Sequence, residues 1–282
     1  MLTRVGNVEI WRILESVEPF LTPQEFFPKM EPDGLALMRR ETPRQLCPDT
    51  GSVLIPIQSF LLKTPRHVVL IDACIGNDKT FEFHLPWHNR ADGRFLAALE
   101  AAGVAPADID FVMCTHLHVD HVGWNTRLVD GRWVPTFPNA RYIFPAADDA
   151  YFSANPGTVY AESVLPVIAA NQAELVSPDH ALGDCISLIS TPGHTPGHVS
   201  VGIADGGKKA VITGDALHCP IQCLRPHWNF AHDHDKALAA QTRRAFLERA
   251  SETGELMLGS HFPLPSLGTV RASGEAFRWI EI

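Results

Sequence analysis

The sequence predicts an α+β fold in which two sheets are sandwiched between helices. Short apolar runs bounded by turn residues recur along the chain, and they alternate with helical patterns in two successive halves. Histidines and aspartates that could carry chemistry stand directly after several of those runs, with part of the set in each half. A length of 282 residues suits one large domain or two small ones, and the expectation is a single domain over residues 1–282.

The elements follow in order. Val8 to Leu14 alternates Val8, Ile10 and Arg12 against Glu9, Trp11 and Ile13, and reads as a first strand. From Pro19 to Pro48 the chain is interrupted by Pro23, Pro28, Pro32 and Pro43, which forbids a long helix or a central strand. Phe20, Phe26, Phe27, Met30, Leu35, Leu37 and Met38 make the same stretch too apolar for disorder. We read residues 19–48 as an arm that packs its aromatics on another surface, either the rim of a cleft or a neighbouring subunit in a homodimer, with cover of the domain's own core as the alternative. Val53 to Leu62 and His67 to Ile71 are strands joined by a hairpin, with Asp72 closing the second. Gly93 to Ala102 is a helix burying Phe95, Leu96 and Leu99 and stopped by Gly103. Ile109 to Met113 is a buried strand, and Arg141 to Phe144 another. Helical segments cover Ala146 to Phe152 and Val159 to Ala170. Asp184 to Ile189, Val199 to Ile203 and Ala210 to Thr213 are strands, His234 to Ala250 is an amphipathic helix, and Leu256 to Leu258 is the final strand.

Composition narrows the class of function. A hydrophobic content of 45% with 20% charged residues is ordinary for a soluble globular protein. No apolar run approaches the roughly 20 residues of a membrane span. The segment Met1-Leu2-Thr3-Arg4-Val5-Gly6 lacks the apolar core of a secretion signal. A net charge of −9 argues against nucleic acid, whose phosphates call for a basic surface. The cysteines are scattered, and Cys219-x-x-x-Cys223 fits neither zinc-ribbon nor thioredoxin spacing. A cytoplasmic protein with reduced thiols is expected.

The stretch Cys114-Thr115-His116-Leu117-His118-Val119-Asp120-His121 carries the chemistry. Imidazole nitrogen and carboxylate oxygen hold zinc and similar ions at roughly 2 Å. If the chain stays extended, His116 and His118 share one face of the strand end. A turn then lets Asp120 and His121 address a second position. So short a segment cannot place all four on one ion, so the spacing suggests two. Zinc is expected first, although manganese, iron and cobalt accept the same donors.

The pattern His116-x-His118-x-Asp120-His121 resembles the signature of the metallo-β-lactamase-fold hydrolases, and the chain is most similar to their methyl parathion hydrolase and quorum-quenching lactonase branches. The resemblance runs from about Ser52 to the C-terminus. It implies an αββα sandwich and a dinuclear site. The first metal would take His116, His118, His194 and Asp215, and the second Asp120, His121, His261 and the bridging Asp215. Within Thr191-Pro192-Gly193-His194-Thr195-Pro196-Gly197-His198 the first histidine would be the ligand and His198 structural. Asp72 would orient a ligand or its loop. Two ions, two ligand carboxylates and a hydroxide leave a residual positive charge, which stabilises an oxyanion. The implied reaction is hydrolysis, with a metal-bridging hydroxide attacking a small neutral lactone, aryl or alkyl ester, or phosphotriester, and Asp120 moving the proton. His218 stands where such lactonases often have a tyrosine that contacts the substrate carbonyl, so it is a candidate catalytic group or else a surface histidine. Aromatic candidates for the pocket wall include Trp124, Phe152, Trp228 and Phe230. The alternatives are a glyoxalase-like thioester hydrolase and an iron-dependent oxidoreductase on the same scaffold.

Overall fold

Val68–Ile71, Phe111–Met113 and Arg141–Pro145 are short runs of β-branched and aromatic residues, and they lie side by side in parallel. Leu70 is opposite Val112, and Val112 opposite Tyr142. Parallel neighbours present their carboxyl ends on one sheet edge, where open sheets build sites. Here that edge brings Asp72 beside the loop that follows Met113. The computed structural model describes residues 1–81 and 84–282. The chain divides into one unit of Met1–Ser16 with Ile57–His180 and a second of Val17–Pro56 with Ala181–Ile282.

The three parallel strands belong to a seven-stranded sheet. Thr3–Val5, Val8–Pro19 and Leu54–Lys63 flank them on one side, and Ala173–Val176 on the other. The Val8–Pro19 strand runs past the predicted end at Leu14, and its alternation slips after Ile10. Ile13 and Glu15 are buried instead of Arg12 and Leu14. Arg94–Ala101 is the predicted helix, but it buries Phe95 and Leu99 and leaves Leu96 exposed. Thr126–Val129 and Arg132–Pro135 form a small separate hairpin. The segment after it is helical as expected, broken by Pro166 into Thr158–Ser163 and Leu165–Ala169.

The second unit holds the other seven-stranded sheet, which runs from Ala181–Leu182 through Ile186–Ser190, Val199–Asp205, Lys208–Ile212 and Leu256–Leu258. Leu258 does not end the strand series. Leu267–Ser273 and Ala276–Glu281 follow as an antiparallel pair, turned by the left-handed Gly274 at φ +62°. Lys236–Thr253 packs Phe246, Leu247 and Ala250 with Val211, Met257 and Val270. Asp235 caps its first turn through Ala237 N and Leu238 N, and Gly254 ends it at φ +64°.

The arm also belongs to this unit, and its prolines bracket helix rather than abolish it. Pro23–Phe26 is one turn with a Thr22–Glu25 capping box, and Gly34–Glu41 lies between Pro32 and Pro43. Phe26, Phe27 and Met38 are buried. Among the described residues no helix is long and apolar enough to cross a membrane.

Candidate metal centre

In the first unit the strand stops at Met113, bends through Thr115 and His116, and re-forms as a single helical turn at Val119–Val122. The turn brings the His121 ring within 4.0 Å of His116, while His116 and His118 meet edge to face at 4.7 Å. His121 Nε2 lies 3.6 Å from Asp120 Oδ2. The expected quartet is therefore gathered, by a bend and a turn rather than by strand alternation.

Asp72 organises this loop. Its backbone sits at φ +60°, a conformation that an aspartate tolerates better than most residues. Oδ1 accepts Thr115 N–H at 2.7 Å, and Oδ2 accepts His121 Nδ1–H at 2.8 Å. The Thr115 hydroxyl donates to the same carboxylate at 3.0 Å and so accepts His116 Nδ1–H at 3.1 Å. One carboxylate thereby sets the tautomer of two histidines and reserves Nε2 of each for a metal. Asp148, buried on the helix after the neighbouring strand, accepts Leu117 N–H at 3.1 Å. Behind the loop the chain passes so closely that a Cβ on Gly123 would sit 1.7 Å from Ile75 O.

The second unit solves the same problem around Asp215. His194 Nε2 and His218 Nε2 lie 3.2 and 3.1 Å from Oδ2, and His261 Nε2 lies 3.2 Å from Oδ1. Donors bound to one ion at roughly 2 Å stand about 2.9–3.4 Å apart, so these separations suit neighbouring ligands. The two carboxylate oxygens address different imidazoles, as a bridging carboxylate requires.

Two of these imidazoles, His194 and His261, are held from behind. His194 Nδ1–H donates to Asp233 Oδ1 at 2.9 Å, and Asp233 Oδ2 accepts Arg243 Nη2–H at 3.2 Å. Arg243 is buried and also donates to the carbonyls of Ala216, Pro226 and Trp228. Burial works against charge on both Asp233 and His194, but the network overcomes it. His194 and Arg243 hold Asp233 down at about 2, and Asp215 and Asp233 raise His194 to about 9. A metal taken up there displaces that proton. His261 Nδ1–H donates to Pro56 O at 2.9 Å. His198 uses both nitrogens within the fold, donating from Nδ1 to Thr191 O at 3.0 Å and accepting Asp215 N–H on Nε2 at 2.8 Å. It is structural, and what it holds is the backbone of Asp215. Gly193 permits the approach that places His194. At φ +130° its Cβ would meet Ala239 N at 2.4 Å.

His218 is not a surface histidine, being only 2% exposed. Its ring packs on Phe230 at 4.3 Å and meets the edge of the arm's Phe26 at 5.9 Å. Burial, opposed by Asp215, pushes its pKa down to about 4. Of the wall candidates, Trp124 belongs to the core, stacked on Phe95 with its N–H on Glu15. Trp228 packs on Phe27 and donates to Glu31. Phe152 stands 5.7 Å from His118 and helps line a cleft of about 450 Å³ with Val119, Tyr151, Val159 and Tyr160. Sequence reasoning missed Asp233, Arg243 and Asp148. Only Asp233 carried a signal, standing among histidines in Ala231-His232-Asp233-His234.

The family model of the metallo-beta-lactamase superfamily matches residues 53–261. An N-acyl homoserine lactonase of Bacillus cereus is 26% identical over 182 residues, which cover 60% of this chain and 67% of that protein. N-acyl homoserine lactonase AttM of Azorhizobium caulinodans is 26% identical over 235 residues, 74% of this chain and 82% of the relative. Among solved structures, hydrolase AbOPH in the beta lactamase superfamily aligns with a TM-score of 0.83 at 25% identity, covering 99% of this chain and 96% of its own. AidC, a dizinc quorum-quenching lactonase in complex with a homoserine product, aligns at 0.81 with 21% identity and the same coverage. The fold they share is the one the sequence predicts.

Proposed function

Because this chain belongs to the metallo-beta-lactamase superfamily, we propose that it is a dinuclear metal-dependent hydrolase of small neutral esters, with lactones as the leading substrate class. The observation that carries the reading is Asp215, whose two oxygens face different imidazoles at ligand spacing. On this reading the first ion takes His116, His118, His194 and Asp215, and the second takes Asp120, His121, His261 and Asp215. Ions bound there supply hydroxide at neutral pH and neutralise charge that builds on an attacked carbonyl. Zinc leads, by analogy with the dizinc relative.

The chain's own groups do the rest. Asp72, Asp233 and Pro56 O fix ring orientation, so that little reorganisation accompanies the reaction. Asp120 is partly exposed beside His121, and its carboxylate is the group we assign to carry a proton to the leaving oxygen. The cleft beside His118 lies in the size range of small-molecule pockets, and its Val119, Phe152 and Val159 favour an apolar substituent. Lactonase relatives of 26% identity favour the lactone within that class.

Elemental analysis beside a panel of acyl lactones, aryl esters and phosphotriesters tests the reading. We expect two divalent ions per chain, activity abolished by chelation and restored by zinc, manganese or cobalt, and highest kcat/KM on a lactone. Hydrolysis that survives exhaustive metal removal would sink it.

A further inference from the structure

Asp215 is surrounded by one imidazole more than the seven-ligand scheme uses. The ligand atoms of His194, Asp215 and His218 all lie within 4.8 Å of one another. His218 Nε2 is 3.1 Å from Asp215 Oδ2, the same oxygen that His194 Nε2 approaches at 3.2 Å. We propose that His218 is itself a metal ligand, binding through Nε2 the ion that His194 and Asp215 Oδ2 share. This rests on the dinuclear reading above and replaces the role toward substrate that the sequence suggests for His218 with one toward the metal.

Three observations converge on that role. The first is bonding. His194, His198 and His261 each commit Nδ1 to a hydrogen bond, whereas neither ring nitrogen of the buried His218 has a hydrogen-bond partner among the described residues. A buried imidazole with both nitrogens unsatisfied has lost its hydration without compensation, and a metal at Nε2 supplies the missing partner. The second is direction. Nε2 and Asp215 Oδ2 are close yet not aligned as donor and acceptor. Two ligands of one ion meet in this way, since each points its lone pair at the ion and not at the other.

The third is rigidity. His218 N–H and Cys219 N–H both donate to Gln222 Oε1, at 2.7 and 3.2 Å, and Gln222 Nε2 donates in turn to Trp228 O at 2.9 Å. Phe230 and Phe26 close on the ring from the side chains of two other segments. Such fixing of backbone and ring suits a ligand, whose position must hold within a fraction of an ångström. A group that follows a moving substrate has no need of it.

The test uses the full chain loaded with cobalt(II). If His218 binds, the proton NMR spectrum shows one more hyperfine-shifted ring N–H than His116, His118, His121, His194 and His261 account for. That extra signal disappears in His218→Phe. The same variant shifts the visible ligand-field bands, and by chelator competition it weakens one of the two sites at least about tenfold, the lower edge of what even supporting residues cost. His218→Asp, which restores a ligating oxygen, recovers most of that affinity, and the wild-type spectrum alone remains decisive should His218→Phe fail to fold. Wild-type protein with two cobalt ions, no extra signal and unchanged affinities in the variants overturns this inference and leaves the dinuclear reading standing. Wild-type protein that takes up no cobalt overturns both.

Discussion

The two units gather imidazoles by opposite means. In the first, one loop of a few residues carries His116, His118, Asp120 and His121, and a single carboxylate, Asp72, sets two of its rings. In the second, His194, Asp215, His218 and His261 come from three separate loops; Asp233 and Pro56 O orient the His194 and His261 rings, and Gln222 holds the His218 backbone. The first arrangement depends on local chain geometry, the second on the packing of a whole unit. Damage to a support in the first should therefore stay local, and damage in the second should spread into stability.

The largest expected effect breaks the second unit at its centre. Asp215→Ala removes the carboxylate that faces three imidazoles, so we expect metal content to fall well below two per chain by elemental analysis. Activity should drop by more than the 10- to 100-fold typical of supporting residues. Two ions retained in that variant would show that Asp215 bridges nothing.

The paired supports sharpen the contrast. Asp72→Asn and Asp233→Asn each take a charge from behind a histidine, and each should weaken metal binding about 10- to 100-fold in a chelator titration. Only Asp233→Asn should also lower the unfolding free energy substantially, because it leaves the buried Arg243 guanidinium without its ion pair. Breaking such a pair costs about 3–5 kcal/mol, and the three carbonyls that Arg243 also bonds place the loss near the lower end. Equal destabilisation by the two variants would erase the distinction between the units.

The same contrast explains what could be read in advance. The run from Cys114 to His121 is legible because its meaning lies in spacing along the chain, and no folding need be known to see it. His194, Asp215 and His261 are single residues at strand ends, recognisable through the family's order of motifs and not through their own surroundings. Asp233, Arg243 and Asp148 are ordinary charged residues in sequence. Burial and a tertiary partner give them their roles, and neither is written locally. The fold follows the same rule. Hairpins and helices with clear punctuation appear where expected, whereas the slip after Ile10 reflects which face of that strand the unit covers.

His198 offers a smaller test. It ligates nothing in this scheme, but it accepts Asp215 N–H and so sets the backbone from which the carboxylate projects. His198→Ala leaves that buried N–H unsatisfied, at about 1–3 kcal/mol. We expect two ions still to bind, with one affinity reduced several-fold. An unchanged affinity together with unchanged stability would mean that the Thr213-Gly214-Asp215 turn holds itself.

The smallest expected effect is a slope rather than a loss, and it lies in the first unit. Glu15 is buried behind the metal loop, where it accepts Trp124 Nε1–H at 2.6 Å and Ile75 N–H at 2.9 Å. Burial raises its pKa from 4.5 to about 7, although both hydrogen bonds and Arg90 pull the other way. An acid whose folded pKa is raised stabilises the fold fully below its unfolded pKa, and that contribution is lost as pH rises through the folded value. Glu15 should thus cost the wild type about 2 kcal/mol between pH 5.5 and pH 8, with little change above. Glu15→Gln cannot ionise and carries a constant penalty for the acceptor it gives up. The difference in unfolding free energy between wild type and variant cancels the titration of the histidines and of metal release, and it should shrink by that amount over the same range. The Trp124 indole N–H resonance should move with a midpoint near 7 in the wild type and stay still in the variant. A difference that is flat with pH, or that widens as pH rises, would mean that Glu15 is already ionised in the folded protein, held by its donors Ile75 N–H, Gly76 N–H and Trp124 Nε1–H.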